Sequence, residues 1–115
     1  MLDIKHRLKS SNQIENVFKK GKSTQSGFLF LKYCPNSLSV SRIAFSVGVK
    51  FSKKAVDRNK AKRILRNQTR KHLHNIKKGF DIVFFLGNVS PSELKKDSLD
   101  KNIKQALISS QLIKQ

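Results

Sequence analysis

The most restrictive feature of the sequence is an almost uninterrupted apolar segment at residues 80–86. Gly79 precedes this segment and Gly87 follows it, and glycines commonly mark the ends of regular elements. A strand with one face in water alternates apolar and polar residues, whereas a strand covered on both faces does not. The segment therefore predicts a central strand with protein packed on both faces of its sheet.

Two helices are predicted before the central strand. Near the start of the chain, Ile14, Val17 and Phe18 recur at helical spacing, and Gly21 would end the helix. Residues 52–74 contain neither proline nor glycine and consist mostly of helix formers, which predicts a long second helix.

A third helix is predicted after the central strand. Ser90, Pro91 and Glu93 supply a cap residue, a first-turn proline and a glutamate three positions after the cap. The predicted buried stripe of this helix contains Leu94, Leu99, Ile103, Ala106 and Leu107.

Two β-rich segments lie between the first two helices. Residues 28–33 and 42–49 flank a turn-forming sequence at residues 35–37, so they predict an antiparallel pair. Side chains alternate between the two faces of a strand. In the second segment, the predicted core face consists of Ile43, Phe45, Val47 and Val49. The other face, small and polar enough to form the floor of a cleft, consists of Ala44, Ser46 and Gly48.

These elements predict an α+β sandwich in the order α-β-β-α-β-α, with helices covering a small mixed sheet. A chain of 115 residues is long enough for one compact domain and too short for two, so residues 1–115 are expected to form one domain. No segment approaches the roughly 18 apolar residues of a membrane span, and the start lacks the apolar core of a signal peptide. We therefore expect a soluble, cytoplasmic protein.

Positive charge dominates the composition. The chain has 25 Lys and Arg residues against seven Asp and Glu residues, which gives a formal net charge of +18. Self-repulsion of this charge destabilises the folded state, and a polyanionic partner would relieve it. Because the sequence offers no membrane span, nucleic acid is the expected partner.

The predicted long helix concentrates this charge on one side. A ridge at four-residue spacing consists of Arg58, Lys62, Arg66 and Arg70, with Asn59 and Arg63 beside it. The opposite side consists of Ala61, Ile64, Leu65 and Gln68. Like charges four residues apart destabilise a helix, whereas phosphates would bind them and release counterions. A face kept only for solubility would more often mix Glu with Lys, so the ridge indicates a nucleic-acid-binding surface.

Protein side chains are not expected to catalyse a reaction or to hold a metal. The few carboxylates are scattered along the sequence, whereas metal-dependent cleavage of RNA needs several that converge. His72 and His74 point in different directions if both lie on a helix, and neither they nor His6 are expected to be catalytic. Cys34 is the only cysteine, so no intrachain disulfide is possible.

Residues 55–66 resemble the signature of the bacterial ribonuclease P protein family. The matching positions are Arg58, Asn59 and Lys60, followed by Lys62, Arg63 and Arg66. Weaker matches in the same order extend across nearly the whole chain, at residues 7–9, 17–21, 46–47, 50–54 and 81–83. Members of this family are the protein subunits of a ribonucleoprotein that removes the 5′ leader of precursor tRNA.

The resemblance implies that ribonuclease P RNA, and not the protein, supplies the active site and the Mg²⁺ ions. It implies a protein that is monomeric within the holoenzyme and binds this RNA and precursor tRNA rather than DNA. The residues expected to contact the catalytic RNA are Arg58, Asn59, Lys60, Lys62, Arg63, Arg66 and Arg70.

The resemblance also implies a cleft between the first helix and the sheet that holds the single-stranded leader. The residues expected in this cleft are Phe18, Phe30, Lys32, Ser46 and Lys50. The strand pattern independently places Phe28, Phe30 and Lys32 on one face, a mixture of rings and a cation that suits single-stranded RNA. Without the resemblance, core packing would be the favoured interpretation of Phe18 and Phe30.

The sequence departs from the family pattern at several positions. Lys60 replaces a usual arginine, which keeps the charge but loses bidentate geometry. Ile14 replaces an aromatic residue, Lys32 stands where a relative has tyrosine, and residues 48–49 replace a more polar pair. The family further implies a left-handed crossover between parallel strands, and it suggests an extra strand at residues 22–25.

Two other binding functions share some of these features. A ribosomal or double-stranded RNA-binding protein would have the same charge and the same mixture of helices and strands. A DNA-binding helix-turn-helix is disfavoured, because no short helix and tight turn precede the basic helix.

Overall fold

The computed structural model describes residues 8, 11–87 and 89–113. Over these residues the helices and strands are α1 (Ser11–Lys20), β1 (Lys22–Ser26), β2 (Leu29–Pro35), β3 (Arg42–Ser46), α2 (Ala55–Arg70), β4 (Phe80–Leu86) and α3 (Lys96–Ser109). The strands form one mixed sheet in the order β1-β2-β4-β3. This arrangement confirms the predicted α+β class.

Strand β4 lies inside the sheet, as its apolar sequence predicts. It pairs with β2 in antiparallel fashion on one side and with β3 in parallel fashion on the other. Ile82 and Phe84 are fully buried on one face, and Val83 is fully buried on the opposite face. Both faces of β4 are therefore covered, which explains why its sequence lacks alternation.

The predicted pairing of the two β-rich segments is wrong. β2 and β3 run in opposite directions, but β4 lies between them and forms hydrogen bonds with both. The turn-forming residues 35–37 thus begin a connection across the width of β4 and not a hairpin. β3 reaches its parallel neighbour β4 through α2, the kind of long crossover that parallel strands require. The left-handed sense of this crossover stays a prediction from the family resemblance.

Residues Lys22–Ser26 form the extra strand that the family suggests. β1 pairs in antiparallel fashion with β2, from Lys22 opposite Tyr33 to Ser26 opposite Leu29. None of its five side chains is apolar, and none is buried. The strand therefore has no hydrophobic pattern by which it could be predicted.

The larger part of the core lies between the sheet and the helices α2 and α3. α3 contributes a stripe of completely buried residues, Leu99, Ile103, Ala106 and Leu107, as predicted. α2 contributes Ala61 and Leu65, and the sheet contributes Leu29, Leu31, Ile43, Ile82 and Phe84. Within the described residues, neither α2 nor any other helix combines the length and the apolar character needed to cross a membrane.

The third helix begins later than predicted. The Ser90 hydroxyl does donate a hydrogen bond to Glu93 Oε1 at 2.7 Å, but residues Pro91–Glu93 form only a short 3-10 turn. Leu94 and Lys95 then adopt extended backbone angles, and Leu94 packs against the main core from this segment. The chain enters α3 only at Lys96, so Leu94 does not belong to the helical stripe.

Two other elements differ from prediction in their boundaries. β3 ends at Ser46, so Val49 no longer follows the strand alternation, and 66% of its surface is exposed. α2 is shorter than the predicted residues 52–74 at both ends. Residues 52–54 form a turn ahead of it, and Leu73–Asn75 form a separate 3-10 turn after it. In the turn ahead of α2, Ser52 Oγ accepts a hydrogen bond from the Lys54 amide and donates one to Asp57 Oδ2.

A smaller apolar cluster lies between α1 and the other face of the sheet. It contains Val17, Val83 and Cys34, and burial raises the pKa of the Cys34 thiol. At its edge Asp81 accepts hydrogen bonds from Arg42 Nε and Nη2 at 2.8 and 2.7 Å, and one from Asn36 at 2.9 Å. The hydrogen bond to Asp81 raises the pKa of Arg42.

The double covering of β4 predicts a stability difference between two small truncations. Ile82→Val should lower the free energy of unfolding by about 1 kcal/mol, because a methyl group is lost from a fully buried site. Val56→Ala is the control, since Val56 is 74% exposed on the first turn of α2. Urea unfolding followed by circular dichroism measures both, and equal midpoints for the two variants would contradict the burial of Ile82.

Candidate nucleic-acid interface

A row of side chains crosses the sheet on the face that carries α1. Phe30 on β2 is directly opposite Phe85 on β4, and Phe85 is paired in register with Ser46 on β3. The Phe30 and Phe85 rings are stacked, with centroids 5.1 Å apart and an interplanar angle of 11°. The pairing register therefore fixes two parallel rings and a hydroxyl side by side.

Phe18 and Lys32 complete this cluster from the helix and the neighbouring strand position. The Phe18 ring lies 5.4 Å from the Phe85 ring at an angle of 53°, and Phe18 is 37% exposed. Lys32 Nζ lies 5.2 Å from the Phe18 ring centroid and donates a hydrogen bond to the Phe18 carbonyl at 3.3 Å. We call Phe18, Phe30, Lys32, Ser46 and Phe85 the aromatic cleft.

Gly87 shapes one end of the aromatic cleft. A Cβ atom on this residue would lie 2.5 Å from Phe30 Cε2, well inside van der Waals contact. The Gly87 amide donates a hydrogen bond to the Phe28 carbonyl at 2.7 Å, which holds the end of β4 against the start of β2. The absence of a side chain thus allows the Phe30 ring to lie flat beside the strand end.

Four of the five residues predicted for the cleft come together in it, and one lies apart. Lys50 is exposed in the turn that follows β3. Phe28 does not share a face with Phe30 and Lys32 as predicted, because it precedes β2 in a turn and packs against the main core. The central ring, Phe85, was missed, although period-two counting along β4 places it on the same face as Val83.

The basic residues of α2 occupy two different surfaces. Counting at 100° per residue brings Arg58 close to the buried stripe of Leu65, seven positions later, whereas Arg70 points away from it. A half-buried flank consists of Arg58, Lys62 and Arg66. We call the second surface the exposed face of α2, and it consists of Asn59, Lys60, Arg63, Asn67 and Arg70. The predicted core side is confirmed, because Ala61, Leu65 and Gln68 are buried and Ile64 is partly buried.

Among the described residues, Arg58 differs from the other cations of α2 because its guanidinium has a hydrogen-bond partner within the protein. Arg58 Nη1 donates a hydrogen bond to the Ser52 carbonyl at 2.9 Å. The same turn is held by the bonds of Ser52 to Asp57 and Lys54. Arg58 therefore positions the turn between β3 and α2 in addition to carrying charge.

Over the described residues, the exposed cations of α2 have no carboxylate beside them. The carboxylates in contact with basic side chains are Asp81, which pairs with Arg42, and Asp100, which lies beside His72, and neither contacts a cation of α2. The acid in α2 itself, Asp57, accepts its hydrogen bond from Ser52. The positive charge of the exposed face is thus available to an external anion.

Two described acids and one histidine have partners within the fold. Asp81 binds Arg42 and Asn36, and a His72 ring nitrogen lies 3.2 Å from Asp100 Oδ1. His74 is exposed in the short 3-10 turn that follows α2. His6 lies outside the described residues, as do Arg7 and Lys9 of the family match. Among the described residues no three His, Cys, Asp or Glu side chains form a group that could hold a metal ion.

An α+β domain with a cleft of stacked rings and a helix of uncompensated cations defines a nucleic-acid-binding protein. The family model described as Ribonuclease P matches residues 2–110. The chain belongs to the ribonuclease P protein family. This membership decides against the ribosomal and double-stranded RNA-binding alternatives, and it makes the chain a subunit of the endoribonuclease holoenzyme of tRNA 5′ processing.

Individual relatives support the same assignment. The ribonuclease P protein component of Caldanaerobacter subterraneus is 32% identical over 102 residues, which cover 86% of this chain and 87% of that protein. The corresponding protein of Syntrophomonas wolfei is 37% identical over 101 residues, which cover 84% of each chain. The solved RNase P protein from Thermotoga maritima has a TM-score of 0.77 at 30% identity and covers 86% of this chain and 92% of its own.

The internal bond of Arg58 predicts that it contributes to stability and Arg63 does not. Arg58→Ala should lower the free energy of unfolding by about 1 kcal/mol, because the Ser52 carbonyl loses its donor. Arg63→Ala removes the same charge from an exposed position and is the matched control. Chemical unfolding of both variants measures the difference, and equal stabilities would show that the Arg58 bond does not stabilise the turn.

Proposed function

We propose that the aromatic cleft binds the single-stranded 5′ leader of precursor tRNA. The observation that carries this proposal is the fixed row of Phe30, Phe85 and Ser46, with Phe18 above it. Unpaired bases stack on such rings whatever their sequence, and each stacked base contributes roughly 1–3 kcal/mol. A double helix cannot offer its base faces in this way, so the cleft favours an unpaired strand.

Lys32 supports the same proposal through its position. Its ammonium group is held over the Phe18 ring and by the Phe18 carbonyl, so it stays at the edge of the cleft. A phosphate of the leader would form a charge-assisted hydrogen bond there, which is stronger than the bond to a neutral carbonyl. In this proposal Lys32 binds the phosphate backbone of the leader rather than a base.

We assign the exposed face of α2 to ribonuclease P RNA. Lys60, Arg63 and Arg70 are exposed on this face, with Asn59 and Asn67 beside them. Cations gain most from a surface of closely spaced phosphates, because each contact releases condensed counterions. The amides can add hydrogen bonds to phosphate or sugar oxygens.

We assign the chemistry and the Mg²⁺ ions to the RNA partner. The carboxylates of Asp57, Asp81 and Asp100 are directed to Ser52, Arg42 and His72, away from one common point. Cleavage assisted by metal ions needs ligands that converge on the ions. In this proposal the protein acts in the cytoplasm as one copy per holoenzyme. It binds the leader and ribonuclease P RNA and does not itself catalyse cleavage.

Removing the ring of Phe18 should reduce preference for the leader. Phe18→Ala should weaken binding of precursor tRNA to the holoenzyme about 10-fold, within the range for loss of one stacked base. Binding of mature tRNA, which lacks the leader, should be unchanged. Fluorescence titration with both tRNAs at fixed Mg²⁺ measures the ratio.

Leu38→Ala is the matched control for this experiment, because Leu38 is a large apolar residue exposed in the connection between β2 and β3. Phe18→Leu keeps a large apolar side chain but removes the aromatic ring. It should retain only part of the preference for precursor tRNA over mature tRNA. An unchanged ratio of precursor to mature affinity in folded Phe18→Ala protein would exclude the aromatic cleft as the leader site.

Removing two cations from the exposed face of α2 should weaken assembly with ribonuclease P RNA. For Lys60→Ala with Arg63→Ala, the slope of log affinity against log salt concentration should become shallower by about 0.7–0.9 per lost phosphate contact. Filter binding over a salt series measures this slope. The double variant Lys101→Ala with Lys104→Ala on the exposed side of α3 is the charge-matched control, and identical slopes would refute the assignment.

A further inference from the structure

A second concave site lies at the other end of α2 from the signature residues. Its volume is about 490 Å³, and it is lined by Ser41, Arg70, Leu73, His74, Ile76 and Lys78. Ser41 precedes β3 and Lys78 precedes β4, so the site is at the start of these parallel strands. Ser46 and Phe85 of the aromatic cleft lie near the ends of the same strands. The two sites therefore lie at opposite ends of these strands.

The floor of this site is apolar and fixed. Ile76 is buried in the main core, and Leu73 packs against it from the short turn that follows α2. Ser41 is also buried, and its hydroxyl donates to the Lys77 carbonyl and accepts from the Phe80 amide. These bonds join the start of β3 to the start of β4. The floor is formed before any ligand binds.

The rim of the site carries two cations, Arg70 and Lys78, and the imidazole of His74. Arg70, His74 and Lys78 are all exposed, and the lining contains no acidic side chain. Asp81, three residues after Lys78, is bound by Arg42, and Asp100 lies beside His72. Within the described part of the chain, Arg70 and Lys78 thus have no acidic partner, and an anion at the rim would meet their positive charge.

We infer that this site binds one unpaired nucleotide of the RNA partner, and we call it the nucleotide pocket. Its volume lies within the usual range of about 300–1,000 Å³ for ligand pockets, and an apolar floor with few polar groups is typical of them. Arg70 and His74 both carry planar groups, on which proteins commonly stack bases that have left a helix. Lys78 and Arg70 would hold the attached phosphates by charge-assisted hydrogen bonds.

The position of Arg70 connects the nucleotide pocket with the exposed face of α2. Arg58 and Arg70 are separated by roughly 18 Å along the helix axis, at 1.5 Å per residue. A single RNA surface that follows α2 would thus contact phosphates along the helix and place an extruded nucleotide at its end. The inference rests on the proposed contact between α2 and ribonuclease P RNA, and it adds a second point that fixes the orientation of the helix on the RNA.

A charge reversal at the rim tests the nucleotide pocket. Lys78→Glu should reduce the affinity for ribonuclease P RNA at least about 10-fold more than Lys104→Glu, which makes the same charge change on α3. His74→Ala should also weaken binding, and His74→Tyr should restore it, because tyrosine again offers a ring. Equal effects of Lys78→Glu and Lys104→Glu would overturn the inference.

Photo-crosslinking locates the contact independently of affinity. Ribonuclease P RNA that contains 4-thiouridine should crosslink to residues 73–78 of the wild-type protein, and the yield should fall in Lys78→Glu. The absence of crosslinks at residues 73–78, with crosslinks present along α2, would refute the pocket while leaving the helix contact intact. If Lys60→Ala with Arg63→Ala has no effect either, the failure lies in the proposed function itself.

Free ligands separate base recognition from simple anion binding. Uridine monophosphate should shift the methyl resonances of Leu73 and Ile76, whereas inorganic phosphate at the same concentration should leave them unchanged. Identical shifts with both ligands would show that the site binds phosphate alone, which contradicts the role given to the apolar floor.

Discussion

The hydrogen bonding of β4 on both of its edges is the constraint on which the other features depend. Because β2 and β3 both pair with β4, each has one face toward α2 and α3 and one toward α1. The first face is sealed by two helices and contains most of the core. The second is covered by one short helix, which leaves Phe30 and Phe85 only partly covered. The same strand thus stabilises the domain and supplies rings to the cleft.

The basic side chains that contact acids and those that do not lie on different parts of the structure. Asp81 binds Arg42 at the edge of the smaller apolar cluster, and Asp100 of α3 lies beside His72. In the part of the chain that the structure describes, the cations of the exposed face of α2 have no such acidic partners. In the free protein, which has a net charge of +18, the positive charges repel one another, and bound phosphate would relieve this repulsion. The stability of the isolated protein is therefore lower than that of the protein on its RNA.

The fold class, the central strand and the basic helix could be predicted because each is encoded by a local pattern. The order of strands could not, since insertion of β4 between β2 and β3 depends on pairing between distant segments. No hydrophobic pattern predicts β1, because its side chains are all polar, and only the family resemblance suggested it. α3 begins later than predicted because Leu94 packs on the core from an extended segment. For the site, Phe18, Phe30, Lys32 and Ser46 were predicted, whereas Phe85 was hidden within an apolar segment that indicates only burial. The pocket at the end of α2 combines residues from the helix, from the segment that follows it and from the connection before β3. No local sequence pattern therefore predicts it.

The polar strand β1 affects how the free protein can associate with itself. β1 forms one outer edge of the sheet, where backbone amides and carbonyls without a neighbouring strand could pair with another molecule. Its five residues, Lys22–Ser26, offer no hydrophobic surface that would hold a second sheet in place, and Lys22 repels an identical edge. This polar edge strand thereby disfavours edge-to-edge aggregation of the protein before it binds its RNA partner.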